Sequence, residues 1–498
     1  FEEVMLRKIS AIIVFMIALF SLSGCGGGED EYVPGDKTWT IMYYGDADCD
    51  LEGYLMEDIA EMKAGFVNGY GVNLIILIDR YDGYSNDSSV LGDDFTDTRL
   101  YRITQGNYER LDGGTQFPDI SADGSSSYEA NMGDAATLEK FIQYCKEKYP
   151  ATDYALIFSN HGGGVKKKSA SVYGEVSVSD SNPGIIKNIC YDESSGNDFL
   201  YTGEISDTLT SDDSVQLLGL DACFMSSVEF AYQFRNDDSN SGFKAEIMVA
   251  SAPSLWGWGW DYASILGNLH RKSVDPTYMD ASTFGRLIVD TQRSSTRNSV
   301  SQSLACVDLS KVKAVKDSVD VMAAALASES EKADLENLRG NAPTASLLNY
   351  FTESSSSEWV SYPYFDLYNF AAAISGSSSF SPSIQNKASS LRNAVDSMVL
   401  YSFGNSAYSG FIEGKSGVHI FFPDGDYVVT ASTASGDVTD ICWRFQWWYN
   451  SEDLTSSGGY GKLAWCDDGA SSNGTVENWF ELLDSWYDTA SNFNNYSW

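Results

Sequence analysis

Tyr154-Ala155-Leu156-Ile157-Phe158-Ser159-Asn160-His161-Gly162-Gly163-Gly164 and Val215-Gln216-Leu217-Leu218-Gly219-Leu220-Asp221-Ala222-Cys223 each run an apolar stretch into a reactive side chain. A short apolar run bounded by turn residues reads as a strand buried on both faces of a parallel sheet. Such sheets carry their chemistry just beyond the carboxyl ends of the strands. The pattern therefore places an imidazole and a thiol at one rim. A thiol is a strong nucleophile only as thiolate, and a nearby imidazole can take its proton. Alone, a cysteine after a strand reads as a small buried hydrophobe. The context argues otherwise, because the chain has three histidines and only His161 is followed by three glycines. Glycines allow close backbone approach and leave amide N–H groups free to point at an oxyanion.

The pattern around these two strands is α/β. Thr38 to Tyr44 and Val72 to Ile78 read as buried strands, and Asp50 to Met62 as the helix between them. Arg99 to Thr104 reads as an edge strand. Gly133 to Tyr149 is a helix, with Asp134 at its N-cap and Leu138, Phe141, Ile142 and Cys145 on one stripe. A polar insertion, Val165 to about Asp198, separates the His161 and Cys223 strands and is expected as an exposed loop. A helix from Ser226 to Phe234 and a strand from Glu246 to Ala250 follow. Strands alternating with helices predict a mostly parallel sheet covered on both faces. Beyond Asp290 the pattern loosens, leaving a helix at Leu309 to Ala327 and a strand at Val418 to Phe422. The last sixty residues hold seven of the twelve tryptophans, read as core packing rather than as a ligand-binding surface.

The start of the chain has a different character. Arg7 and Lys8 precede an apolar stretch from Ile9 to Leu22 that ends at Leu22-Ser23-Gly24-Cys25, with translation read as starting at Met5. This is the layout of a bacterial export signal. Leu-Ser-Gly-Cys also resembles a lipobox, which makes Cys25 the expected lipidation site. The expected organisation is residues 1–25 signal peptide, 26–36 tether, 37–300 catalytic domain and 301–498 C-terminal region. The protein is thus expected to be exported and anchored to the cell envelope. A net charge of −38 argues against nucleic acid as a partner, since such binding needs basic patches. It argues equally against contact with anionic membrane surfaces, other than through the lipid. The seven cysteines beyond Cys25 contain no C-x-x-C pair, which is neither a zinc pattern nor a disulfide scaffold.

Several segments together resemble the clostripain-like cysteine peptidases. They are Trp39 to Asp48 with Leu51-Glu52, Asn131-Met132-Gly133-Asp134, the His161 and Cys223 motifs, and Gly257-Trp258-Gly259-Trp260-Asp261-Tyr262. Tyr364-Phe365-Asp366-Leu367 and Ser416 to Pro423 extend the likeness past residue 420. The resemblance implies a caspase-like three-layer α/β/α sandwich with a mostly parallel central sheet and a C-terminal α/β extension. It implies His161 and Cys223 as the catalytic dyad and the backbone N–H groups of Gly162 and Cys223 as the oxyanion donors. Asp221, Ser251 and Trp258 are its substrate-binding positions, with Asp221 matching an acid that selects basic P1 residues. The chain departs from the family after Ser251, where Ala252-Pro253-Ser254 stands in place of an expected acid, and this weakens the expected preference.

Calcium is the one cofactor that the resemblance allows, because some relatives depend on it. Asp46-x-Asp48-x-Asp50 invites that reading, but an EF-hand loop needs glycine at its sixth position, where this chain has Leu51. No metal-ligand set is read, and Asp48 is expected to serve the turn. The leading reading is an anchored cysteine endopeptidase acting on peptide or protein substrates. The alternative is a non-catalytic surface lipoprotein that binds glycans or proteins on the same fold. Lys166-Lys167-Lys168 in the insertion is a site where such an enzyme could cut itself.

Overall fold

The computed structural model describes residues 38–164, 189–269, 279–295, 302–340, 347–350, 363–422, 428–433, 436–441, 460–469 and 475–487. The expected export signal with Cys25, the expected tether and the Lys166–Lys168 run lie outside these residues. Residues from Lys37 onward form one compact unit.

Nine strands make the central sheet, in the order β12-β10-β9-β8-β5-β1-β2-β3-β4. Its parallel core is β9 (Ala245–Ala250), β8 (Val215–Asp221), β5 (Asp153–Ser159), β1 (Trp39–Ala47) and β2 (Val72–Arg80). The flanks are antiparallel: β3 (Arg99–Thr104) and β4 (Asn107–Arg110) on one side, β10 (Ser303–Asp308) and β12 (Val399–Gly404) on the other. The edge expected at β3 is taken instead by β4. The sheet runs across residue 300, the expected domain boundary, because β10 and β12 lie beyond it.

Strand alternation builds the layers. Every residue of β1 is buried. Met42 and Tyr44 face one core, while Trp39, Ile41 and Tyr43 face the other, as a period of two requires. The first core is covered by α2 (Ala135–Lys148), α3 (Val228–Gln233), α6 (Val312–Leu326), α7 (Leu367–Gly376) and α8 (Pro382–Met398). The second is covered by α1 (Glu52–Gly65), α4 (Tyr262–Asn268) and α5 (Ala281–Ser294). This is the three-layer α/β/α sandwich expected from the sequence. Asp134 caps α2 by accepting from Ala136 N at 2.8 Å. Trp465 and Trp479 of the aromatic tail are fully buried, and Trp479 donates to Phe421 O.

Two short ribbons depart from expectation. The stretch expected as an exposed loop includes a hairpin of β6 (Ile189–Asp192) and β7 (Asp198–Leu200), in which all of β6 is buried. Polar sequence hid it, because its buried aspartate takes backbone partners: Asp192 accepts from Met132 N at 2.8 Å and from Ser195 N at 2.7 Å. The second ribbon pairs β11 (Tyr364–Asp366) with β13 (His419–Phe421). Asp366 caps α7 through Asn369 N and also accepts from Tyr350 Oη and Gly417 N.

Candidate active site

β5 and β8 are neighbours in parallel register, with Ser159 opposite Asp221. His161 and Cys223 each lie two residues further on, so the sheet delivers both to one rim. They line the same open cleft of about 100 Å³, together with Leu51, Leu55, Asp221, Leu255 and Trp256. Six cysteines are described, and Cys223 is the one that is not fully buried. Burial raises the pKa of Cys145, Cys190 and Cys466 well above the ordinary thiol range and pushes Cys306 up to about 12.

The sulfur of Cys223 is held by one backbone unit. Leu255 N–H donates to Sγ at 3.2 Å, and Leu255 O lies 3.5 Å from it. These two contacts fix the position of the sulfur at the cleft. The next residue, Phe224, has φ of 58°, a left-handed conformation that a bulky residue adopts only when its surroundings impose it. Those surroundings are visible. Phe224 N donates to Pro253 O at 3.1 Å, and His419 Nε2 donates to Phe224 O at 2.9 Å. Burial pushes the His419 pKa down to about 3, so its imidazole is neutral. The same β11–β13 ribbon reaches the other loop, where Tyr364 Oη donates to Gly163 O at 2.8 Å. Tyr364 and His419 stack with ring centroids 4.1 Å apart. One ribbon thus clamps the loops that follow both reactive residues.

Gly162 packs directly on the backbone of Cys223. A Cβ at position 162 would lie 2.3 Å from Cys223 O and 2.8 Å from Cys223 N. Glycine is needed there for close approach, not for a special φ.

Beside His161 stands Asp50, which the sequence reading did not assign. His161 Nε2 lies 2.6 Å from Asp50 Oδ1. β1 lies beside β5, so the turn after β1 reaches the same rim. Asn160 joins the two ends, donating to Asp46 O and accepting from Tyr191 N at 2.7 Å. Asp50 was visible only as one member of an alternating aspartate run. Its place next to His161 depends on strand order, which no local pattern encodes.

Asp221 lies in the cleft wall. Its Oδ2 accepts from Trp260 N and from Tyr262 Oη, both at 2.9 Å. Gly259 packs against it, with an added Cβ falling 2.5 Å from Oδ2. Ser227 caps α3, the helix that follows the Cys223 strand. Ser251 is fully buried with its hydroxyl on Pro253 O at 2.9 Å, away from the cleft lining. Trp258 is one layer back, stacked at 5.3 Å on Trp256, and Trp256 is the half-exposed ring that lines the cleft.

The model of the clostripain family, a group of C11 peptidases, matches residues 43–486. The chain belongs to the clostripain family. It is accordingly a cysteine endopeptidase. Clostripain from Hathewaya histolytica is 42% identical over 489 residues, covering 92% of this chain and 89% of its own. The crystal structure of an inactive zymogen C11 protease from Parabacteroides distasonis superposes with a TM-score of 0.50 at 16% identity. That superposition covers 79% of this chain and 93% of the other, and it agrees with the fold. A secreted C11 cysteine protease from Bacteroides thetaiotaomicron, in complex with an irreversible peptide inhibitor, gives a TM-score of 0.48 at 17% identity, covering 77% and 92%.

Proposed function

We propose that the peptidase acts through a Cys223–His161 dyad and prefers basic residues at P1. The observation that carries the dyad is the placement of the one incompletely buried thiol among the described cysteines at the rim that also bears His161. His161 takes the thiol proton, and Sγ attacks the scissile carbonyl carbon. With Nε2 held by Asp50, the nitrogen that carries this proton is Nδ1. The carbonyl oxygen becomes an oxyanion, met by the N–H groups of Gly162 and Cys223. Collapse breaks the C–N bond, and the leaving amine takes the proton from His161. Water then attacks the thioester, giving its proton to His161, and the acid product leaves as the thiol reforms. Asp50 acts as a positioning residue, fixing the ring and stabilising the imidazolium between steps.

Asp221 supports the basic P1 preference, because its carboxylate stands in the cleft wall with Oδ2 fixed by two donors. Ala252, which stands in the stretch where the resemblance leads one to expect an acid, is fully buried, so one carboxylate carries the selection. The test is a P1-scanning peptide library. Arg and Lys substrates are expected to exceed Ala, Leu and Asp by about tenfold or more in kcat/KM, the scale of one charge-assisted hydrogen bond. Asp221→Asn is expected to erase that margin while leaving iodoacetamide labelling of Cys223 unchanged. A flat P1 profile in the unmodified enzyme would reject the specificity and leave the dyad standing.

Residues 1–25 support export with anchoring through a lipidated Cys25. Mass spectrometry of protein purified from its own membranes is expected to find a diacylglyceryl cysteine as the first residue. An unmodified N-terminal peptide upstream of Cys25 would refute anchoring.

A further inference from the structure

The cleft has an apolar wall that the P1 reading leaves unused. Leu255 and Trp256 stand in it on the loop that follows β9. Trp256 is 49% exposed. A single exposed apolar side chain on a protein surface needs no explanation. This one is different, because the surrounding structure holds it at the cleft.

Four contacts do the holding. The indole stacks on that of Trp258, with ring planes 7° apart. Trp256 O accepts from Gly259 N at 2.9 Å, which closes a turn over residues 256–259. Within that turn Gly257 packs on the ring of Tyr54 from α1, where an added Cβ would fall 2.7 Å from the ring. Just past it, the fully buried Trp260 donates its N–H to Asp221 Oδ2 at 2.9 Å. The turn is thus braced from α1 on one side and from the end of β8 on the other. Its indole is a preorganised apolar surface, tied to the same carboxylate that is proposed to take the P1 side chain.

Sheet order says which part of a substrate meets it. β8, which ends at Cys223, lies between β5, which ends at His161, and β9. The leaving amine takes its proton from His161, so the substrate beyond the scissile bond lies toward β5. The acyl half runs the other way, toward the loop after β9. With the P1 side chain on Asp221, the next residue back along the substrate reaches Trp256.

We propose that Trp256 builds a P2 subsite that selects a large apolar side chain, an aromatic one above all. The proposal rests on the dyad and the P1 reading given above. An aromatic P2 ring removes water from both surfaces and can stack offset on the indole. A lysine or arginine could also lie over an indole. It would stand one residue from a cationic P1 side chain, with Asp221 already engaged by the latter, and like charges so placed repel. The sequence could not reveal this subsite, because Trp256 is one of several tryptophans in its loop and only the turn decides which of them faces the cleft.

The test is a peptide library with P1 fixed as Arg and with P2 and P1′ varied, hydrolysed by the full chain. Phe, Tyr and Leu at P2 are expected to exceed Gly and Asp by about tenfold in kcat/KM. Trp256→Ala is expected to cut the Phe-to-Gly ratio to about twofold or less, whereas Trp256→Phe is expected to keep most of it. If the P1 profile proves flat, the P2 scan is run at the best-cleaved P1 residue, so failure of the P1 reading and failure of this one are separate results. A P2 ratio near one, or a ratio that Trp256→Ala leaves unchanged, overturns the proposal. An apolar preference at P1′ and not at P2 also overturns it, because the indole then serves the leaving half. A P2 preference for Lys or Arg that Trp256→Ala removes overturns the apolar assignment, leaving a cation-binding ring instead.

Discussion

Cys223→Ala is expected to lower peptide hydrolysis by roughly 10⁴- to 10⁶-fold, the range for losing a nucleophile from a coupled unit. His161→Ala is expected to fall in the same range, and the double variant no further, because the two residues perform one step together. The fold is expected to survive both changes. Cys223 is only partly buried, and the strands below it are paired in the sheet on both sides. Asp50→Asn should behave differently. It keeps a hydrogen-bonding side chain beside Nε2 but removes the charge that steadies the imidazolium. A loss of about ten- to a hundredfold in kcat, with KM changed little, is expected for a group acting on general acid–base catalysis through another residue. Single-turnover kinetics with a fluorogenic peptide separate these cases. Substantial turnover by Cys223→Ala would remove the assignment, and a KM effect alone at Asp50 would make that residue structural.

The second large effect is expected from one methyl group. Gly162→Ala puts a Cβ against two backbone atoms of Cys223, and backbone cannot swing aside as a side-chain tip can. The two loops must part, and both expected oxyanion donors move with them. Loss of a single such donor costs about 10²- to 10³-fold in kcat. The stability cost of overpacking is smaller, about 1–3 kcal/mol. The expected signature is therefore a catalytically crippled enzyme whose Cys223 still reacts with iodoacetamide. Gly162→Ala with normal kcat would show that the close approach is not needed for turnover.

The reach of the sequence can be traced residue by residue. β1, β5 and β8 were legible because burial on both faces writes an uninterrupted apolar run. α2 was legible because one stripe, an N-cap aspartate and a following proline agree. The β6–β7 hairpin was not, since its buried Asp192 is satisfied by the amides of Met132 and Ser195, which are distant or turned in ways no local pattern records. β10 and β12 were missed as sheet members because antiparallel additions at an edge carry no crossover helix to announce them. In the cleft, His161, Cys223 and Asp221 were visible, each at or beside the end of an apolar run, as was Gly162 next to them. Asp50 and Trp256 were not, because their relevance comes from strand order and from the path of the loop after β9. Ser251 and Trp258 were chosen by likeness; neither lines the cleft, though Trp258 stacks on Trp256, which does.

The ribbon that clamps the two loops has one more implication, for the order in which the protein comes into being. Tyr364 lies 201 positions after Gly163, and His419 lies 195 positions after Phe224. A ribosome therefore delivers both reactive residues long before it delivers the side chains that bond their loops. Until that later portion emerges, the carbonyls of Gly163 and Phe224 lack these donors, and nothing from the ribbon holds Phe224 in its left-handed conformation. The nascent chain thus carries its reactive residues through much of translation without the piece that locks them in place.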